Sequence, residues 1–270
     1  MRGRRLIALL VVVGALATAL TPAAGGAAGS RVGARPWRPH VGAAIRYASH
    51  RGGIISFAVR TQERAWGWHA RRIYPSASVL KAMLLVAYLN QSSVRHRALR
   101  SYDRALLSPM IRHSNNAAAT AVLGRVGTGR LRHLAHRAGM HHFTPVSGIW
   151  GNSRINAEDQ ARYFFQIDHL IVARHRKYAL YLLRHITPSQ RWGIGRVHLP
   201  RGWRLYFKGG WGSGTGRVDH QVALLVNGKT RVSLAILTAA DGTHAYGKET
   251  LRGVFARLLR GLGPSSKVPS

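Results

Sequence analysis

Cysteine is absent from this 270-residue chain, so disulfides, thiol catalysis and lipid attachment through cysteine are excluded. Acidic side chains are nearly as scarce: eight Asp and Glu stand against 41 Lys and Arg, a formal net charge of +33. So few carboxylates can be followed one by one, as Glu63, Asp103, Glu158, Asp159, Asp168, Asp219, Asp241 and Glu249. The histidines, His141-His142 among them, lack metal-ligand spacing with these acids, so neither a metal nor another cofactor is expected. The arginines are scattered rather than gathered in a basic helix, a zinc finger or an aromatic-interleaved strand, which argues against a dedicated nucleic-acid module. The charge implies salt-sensitive adhesion to polyanions such as anionic cell-wall polymers. The excess of arginine over lysine fits coding bias equally well.

Long apolar runs are also missing, except at the N-terminus. There Met1-Arg-Gly-Arg-Arg5 precedes an apolar run from Leu6 to Leu20 and a small-residue tract from Thr21 to Ser30. This order is that of a secretory signal peptide, cut between about Ala23 and Ala28, and the apolar run is too short to span a bilayer comfortably. Residues 1–28 are therefore read as a leader and 29–270 as one domain of a secreted, periplasmic or wall-associated protein, expected as a monomer. An uncleaved anchor is the alternative.

Short β-branched and aromatic runs at Ile54–Arg60 and Ala65–His69 suggest a strand pair, and strands return at Arg204–Lys208, His220–Val226 and Arg231–Thr238. Asn227-Gly228 between the last two signals a type I′ hairpin. Helical patterns occupy Val41–Ala48, Val79–Leu89, Leu106–Leu123, Gly129–Ala138 and Gly247–Leu259. Asn156 caps another helix with Glu158 and Asp159 in its first turn. The expected class is α+β: an antiparallel sheet formed from both chain ends with flanking helices, and a helical region inserted between them. The sheet part takes in about 38–75 and 200–262, the helical part about 76–199.

One polar residue interrupts the apolar helix from Val79 to Leu89, and it is Lys81. Ser78 lies three residues before it, so on a helix both side chains share a face. A buried amine disfavours its charge and can take the proton of a neighbouring hydroxyl, which is how a serine becomes a nucleophile. The spacing alone fits equally an N-cap serine followed by a snorkelling lysine.

Two further segments make a set of the pair. Ser114-Asn115-Asn116 stands at the start of a helical run and Lys208-Gly209-Gly210 at a strand end. The glycine-rich stretch from Gly209 to Gly216 leads into a strand, which sets aside a phosphate-binding loop. Ser-x-x-Lys, Ser-x-Asn and Lys-x-Gly in this order resemble the penicillin-recognising serine acyl-transferases, class A β-lactamases and penicillin-binding proteins. The likeness to the class A branch runs from about Val41 to Leu259.

That resemblance implies an acyl-enzyme on Ser78, with Lys81 accepting its proton and Ser114 passing a proton to the leaving nitrogen. Asn116 would bind the substrate's amide side chain and Lys208 would supply positive charge. Gly210 and Trp211 would lie along the substrate, with the N–H groups of Ser78 and Trp211 as the oxyanion hole. Five departures accompany it, one being a helical span between Ser78 and Ser114 shorter than in typical family members. The loop from Phe143 to Ser153 holds no glutamate to activate a deacylating water, and Glu158 is the sole nearby candidate. Asn115 stands where the family has aspartate. Gly209 replaces a hydroxyl residue, and His220 would substitute only in part for a carboxylate-binding arginine. Three functions follow: a serine hydrolase acting on an amide or β-lactam-like substrate with slow deacylation, a D-alanyl-D-alanine-type peptidase of peptidoglycan peptides, or a non-catalytic cationic wall-binding protein.

Overall fold

The computed structural model describes residues 37–212 and 217–264; the leader read at 1–28 lies outside them. Helix α1 (Val41–Ser49) leads into strands β1 (Ile54–Arg60) and β2 (Ala65–Trp68), an antiparallel pair with Phe57 opposite Trp68. The two-residue strand β3 (Tyr74–Pro75) and a 3-10 turn at Ala77–Val79 precede α2 (Leu80–Leu89). Next come α3 (Ser92–Arg95), α4 (Ser101–Arg112), α5 (Asn116–Arg137), β4 (Arg154–Ile155), α6 (Ala157–Phe165), α7 (Ile167–Leu170) and α8 (Ala173–Arg184). Strands β5 (Arg204–Gly212), β6 (Val218–Asn227) and β7 (Thr230–Ala239), then α9 (His244–Leu258), follow.

The main sheet has the order β2-β1-β7-β6-β5 and is antiparallel throughout. Both ends of the chain thus build one sheet, with the helical region inserted between β3 and β5, which is the α+β arrangement expected from the sequence. Strand β5 lies at the sheet edge, where its outer main-chain groups are open to side chains and ligands. Eight consecutive residues of β6 and seven of β7 are buried. Successive side chains point to opposite faces, so both faces of the sheet are covered. Helices α1 and α9 pack together on one face and α6 lies on the other.

Helix α2 is buried along all ten residues, packed against α4 and α5. Leu80, Met83, Leu84, Leu85 and Leu89 are each at most 1% exposed, worth about 1.5–3 kcal/mol apiece in apolar burial. That packing fixes the helix, and with it the position of Lys81.

Three local expectations change. The helical run expected over Leu106–Leu123 is broken at His113–Asn115, because Ser114 adopts a left-handed conformation with φ 58° and Asn115 caps α5 through its side chain. The β6–β7 turn is Gly228-Lys229, since Asn227 pairs with Thr230. Gly228 takes φ 56° while Lys229 is not left-handed, the pattern of a type II′ rather than a type I′ turn. Helix α9 begins at His244 under a Thr243 cap, ahead of the expected Gly247. Among the described residues no helix is long and apolar enough to cross a membrane.

Candidate active site

Ser78 sits in the 3-10 turn that leads into α2, after Ala77, whose φ of 42° is left-handed. Strand β5 presses on this turn: a Cβ on Gly210 would lie 2.6 Å from the Ser78 nitrogen and 2.7 Å from that of Val79. Glycine is required there because only a bare Cα lets the strand approach the serine backbone so closely.

Lys81, fully buried, reaches back one helical turn. Its Nζ is 2.9 Å from Ser78 Oγ, 2.5 Å from the Ser114 carbonyl, 2.7 Å from Asn116 Oδ1 and 3.1 Å from Ser114 Oγ. Burial holds its pKa down at about 7, against an ordinary 10.5. A neutral amine has two N–H donors and one lone pair. The Ser114 carbonyl and Asn116 Oδ1 suit the donors, which leaves the lone pair for the Ser78 hydroxyl proton.

Lys208 enters from β5, 1% exposed, with Nζ 3.1 Å from Ser114 Oγ and 2.6 Å from the Gly209 carbonyl. Burial, joined by repulsion from Lys81, pushes its pKa well below the lysine range. Ser114 Oγ therefore bridges two amines. The left-handed backbone at Ser114 turns its carbonyl and its hydroxyl toward one place, and strain of this kind gathers where the surroundings impose a working geometry.

The structure thus brings Ser78, Lys81, Ser114, Asn116 and Lys208 into one connected hydrogen-bonded cluster, with Gly210 backing the serine. The Gly209 carbonyl meets the Lys208 amine at the free side of β5. Main-chain groups alternate across a strand, so the Trp211 N–H shares that side with it. The indole of Trp211 is 50% exposed and stacks on His244, ring centroids 4.4 Å apart at 20°. His244 Nδ1 in turn lies 2.5 Å from Asp219 Oδ1.

All eight acids fall among the described residues, and each is engaged with a partner outside the five-residue cluster, Asp219 lying opposite Trp211 on β6. Glu63 accepts from Thr61 Oγ1 at 2.9 Å. Asp103 pairs with Arg97, Asp168 with Arg231 and Glu249 with Arg252. Asp159 accepts the N–H groups of His141 and His142, Asp219 meets His244, and Asp241 accepts from Thr238. Glu158, the candidate base, is held by Arg71 at 2.9 Å and Arg162 at 3.4 Å. Its hydrogen bond to Arg71 keeps its pKa below the usual range. It lines a separate cavity that includes none of the five cluster residues. No group of three or more His, Cys, Asp or Glu able to hold a metal occurs among the described residues.

His220 is not a substitute for an arginine. It is fully buried, with Nε2 2.8 Å from the Pro75 carbonyl and Nδ1 accepting the Thr238 N–H at 3.2 Å. Burial lowers its pKa to about 4, so it is a neutral brace between β6, β7 and β3.

Two residues were missed from the sequence. The Trp150 ring lies 4.8 Å from Lys81 Nζ, anchored by its Nε1 donating to Thr120 Oγ1 at 3.1 Å. Its loop is tied down where Ser76 N donates to the Ser153 carbonyl at 2.7 Å. Trp192 lies against Gly209, where a Cβ would come within 2.7 Å of the indole; the hydroxyl residue expected there cannot coexist with this tryptophan. A lone tryptophan in a glycine-rich loop was the only signal for Trp150, and Trp192 had none.

A family model described as the beta-lactamase enzyme family matches residues 101–260, a span that begins after Ser78 and Lys81. Among solved structures the chain is similar to a β-lactamase from Sphaerobacter thermophilus, at 18% identity over 84% of this chain and 98% of that one, TM-score 0.69. A β-lactamase from Xanthomonas campestris pv. campestris aligns at 14% identity over 82% and 96%, TM-score 0.69. A class A β-lactamase from Bacteroides cellulosilyticus aligns at 13% identity over 81% and 96%, TM-score 0.67. A comparison with curated proteins finds no match.

Proposed function

The chain belongs to the beta-lactamase enzyme family, and from that premise we propose that it is a secreted serine hydrolase that forms an acyl-enzyme on Ser78 with an amide or β-lactam-like substrate and deacylates slowly. The observation that carries this reading is the Lys81 amine, buried and 2.9 Å from Ser78 Oγ, in a cluster without a carboxylate.

Ser78 Oγ attacks the substrate carbonyl as its proton passes to Lys81. The C–O bond forms and the carbonyl π pair moves to oxygen, where the N–H groups of Ser78 and Trp211 receive the charge. Loss of one such donor typically costs about 10²–10³ in rate. Lys81 returns the proton through Ser114 to the leaving nitrogen as the C–N bond breaks. Lys208, its charged form disfavoured by burial and by Lys81, serves as an N–H donor beside Ser114 rather than as the fixed positive charge expected from the resemblance. Hydrolysis then needs a base for water, and Trp150 stands over Lys81 where a carboxylate would have to reach. Export by the N-terminal leader, and a net charge of +33 that loss of Arg2, Arg4 and Arg5 with the leader lowers only to +30, together support a place at an anionic cell wall.

The test is incubation of the purified protein with a fluorescent penicillin, followed by intact mass. A stoichiometric adduct persisting for minutes and lost in Ser78→Ala is expected. Hydrolysis with no accumulated adduct would overturn slow deacylation, and no adduct at any pH would overturn the enzymatic reading.

A further inference from the structure

A second cavity, of about 530 Å³, opens between β1, β2 and the first turn of α6. Its volume lies in the range of small-molecule sites. The floor is apolar: Val59 and Ala161 are buried, and Trp66 lies half-buried beside them. Arg60, Arg71 and Arg72 stand at the rim.

The charge there is unbalanced. Glu158 is the one carboxylate of the lining, and Arg71 and Arg162 hold it. Among the described residues no carboxylate pairs with Arg60 or Arg72, so the rim has a local excess of two positive charges. Guanidinium groups are matched to planar or tetrahedral oxyanions by their fixed fork of donors.

The rim is also held in shape. The Arg72 N–H donates to the His69 carbonyl and the Glu158 N–H to the Ala70 carbonyl, both at 3.0 Å. The His69 ring lies tilted against that of Trp68, centroids 4.3 Å apart at 50°. The φ of 48° at His69 is left-handed, a state shared among the described non-glycine residues with Ser114 of the catalytic cluster, with Ala77 next to Ser78, and with Arg217 and Ala240. Backbone strain of this kind persists only where surrounding contacts impose it, and it clusters at binding and catalytic sites.

We propose that this cavity binds a small organic anion, its oxyanion head against Arg60 and Arg72 and its flat apolar body over Val59, Ala161 and Trp66. The site is independent of Ser78 chemistry, and nothing in the acylation mechanism uses it.

Fluorescence titration of the full protein with 8-anilinonaphthalene-1-sulfonate at physiological salt tests this. One saturable site per chain is expected, with at least tenfold weaker binding for the uncharged N-phenyl-1-naphthylamine. The double variant Arg60→Gln, Arg72→Gln and the mouth-filling Ala65→Trp, at an exposed position of β2, should each weaken the sulfonate at least tenfold. Both should keep the parent's thermal transition, a control that does not depend on the serine being active. Competition by benzoate or by phenyl phosphate assigns the head as carboxylate or phosphate, and either supports the site. Inorganic phosphate competing as well as phenyl phosphate would refute the apolar half. Several non-saturating sites, or indifference to both variants, would show a generally cationic surface and overturn the proposal.

Discussion

Replacing Asn116 by aspartate tests the neutral state of Lys81 most directly. With the amine at about pKa 7, acylation should rise with pH through 7 and level off above it. At pH 5 only about 1% of the amine is neutral, so the rate there should fall roughly a hundredfold below the plateau. Asn116 Oδ1 lies 2.7 Å from Nζ, and residue 116 opens α5, where the helix N-terminus favours a negative charge. A carboxylate so close should raise the lysine pKa by about 1–3 units. The onset would then move to between about 8 and 10. At pH 7 the neutral fraction would fall from about one half to between roughly 1/10 and 1/1000, and raising the pH would restore the rate. Asn116→Ala removes the contact without adding charge, so its midpoint should stay near 7 whatever its rate. The assay is single-turnover labelling by a fluorescent penicillin across pH 5–10. A midpoint that stays near 7 in Asn116→Asp, or moves down, would refute Lys81 as the base.

Trp150→Glu places a carboxylate beside Lys81 and should shorten the adduct lifetime at least tenfold, since a positioned general base is worth about 10²–10⁴; pulse-chase labelling reads it. Glu158→Gln should leave that lifetime within about twofold, because the carboxylate is already committed to Arg71 and Arg162. Gly210→Ala should reduce the acylation rate by about 10² or more with the far-UV spectrum intact, as the added methyl separates β5 from the Ser78 nitrogen. Asp103 is held at about pKa 2, against 3.8 ordinarily, chiefly by its hydrogen bond from Arg97 and also by Tyr88 and the Arg100 N–H. Its contribution of about 2 kcal/mol is complete above pH 4 and lost as pH falls through 2. Urea midpoints of Asp103→Asn and the parent should therefore differ at pH 7 and converge near pH 2.

Much of the cluster was legible because its parts depend on local spacing. Ser78 and Lys81 share a helix face at any three-residue separation, and Lys208-Gly209-Gly210 could be placed at a strand end from its flanking pattern. What escaped was set by tertiary packing. Trp150 approaches Lys81 across a loop whose path depends on Ser76, Ser153 and Thr120, none of them adjacent in sequence. The left-handed turn at Ser114 was hidden inside a run of helix-compatible residues, although it is what lets one serine meet both amines. Gly209 read as a lost hydroxyl, and only the neighbouring Trp192 explains why no side chain can return.

The scarcity of acid then has a chemical consequence. A complete acyl-transfer cycle needs a base twice, once for the serine and once for the molecule that releases the acyl group. The first demand falls on Lys81, whose proton affinity burial has brought near neutrality. The second cannot fall on a carboxylate, because all eight are engaged elsewhere, and an indole covers the approach to the amine. On this reading Lys81 must serve both half-reactions from one position, favourable for the serine and poor for water. A tenfold shorter adduct lifetime in Trp150→Glu, set beside indifference to Glu158→Gln, would locate the missing half-reaction at the tryptophan rather than at the nearest existing acid.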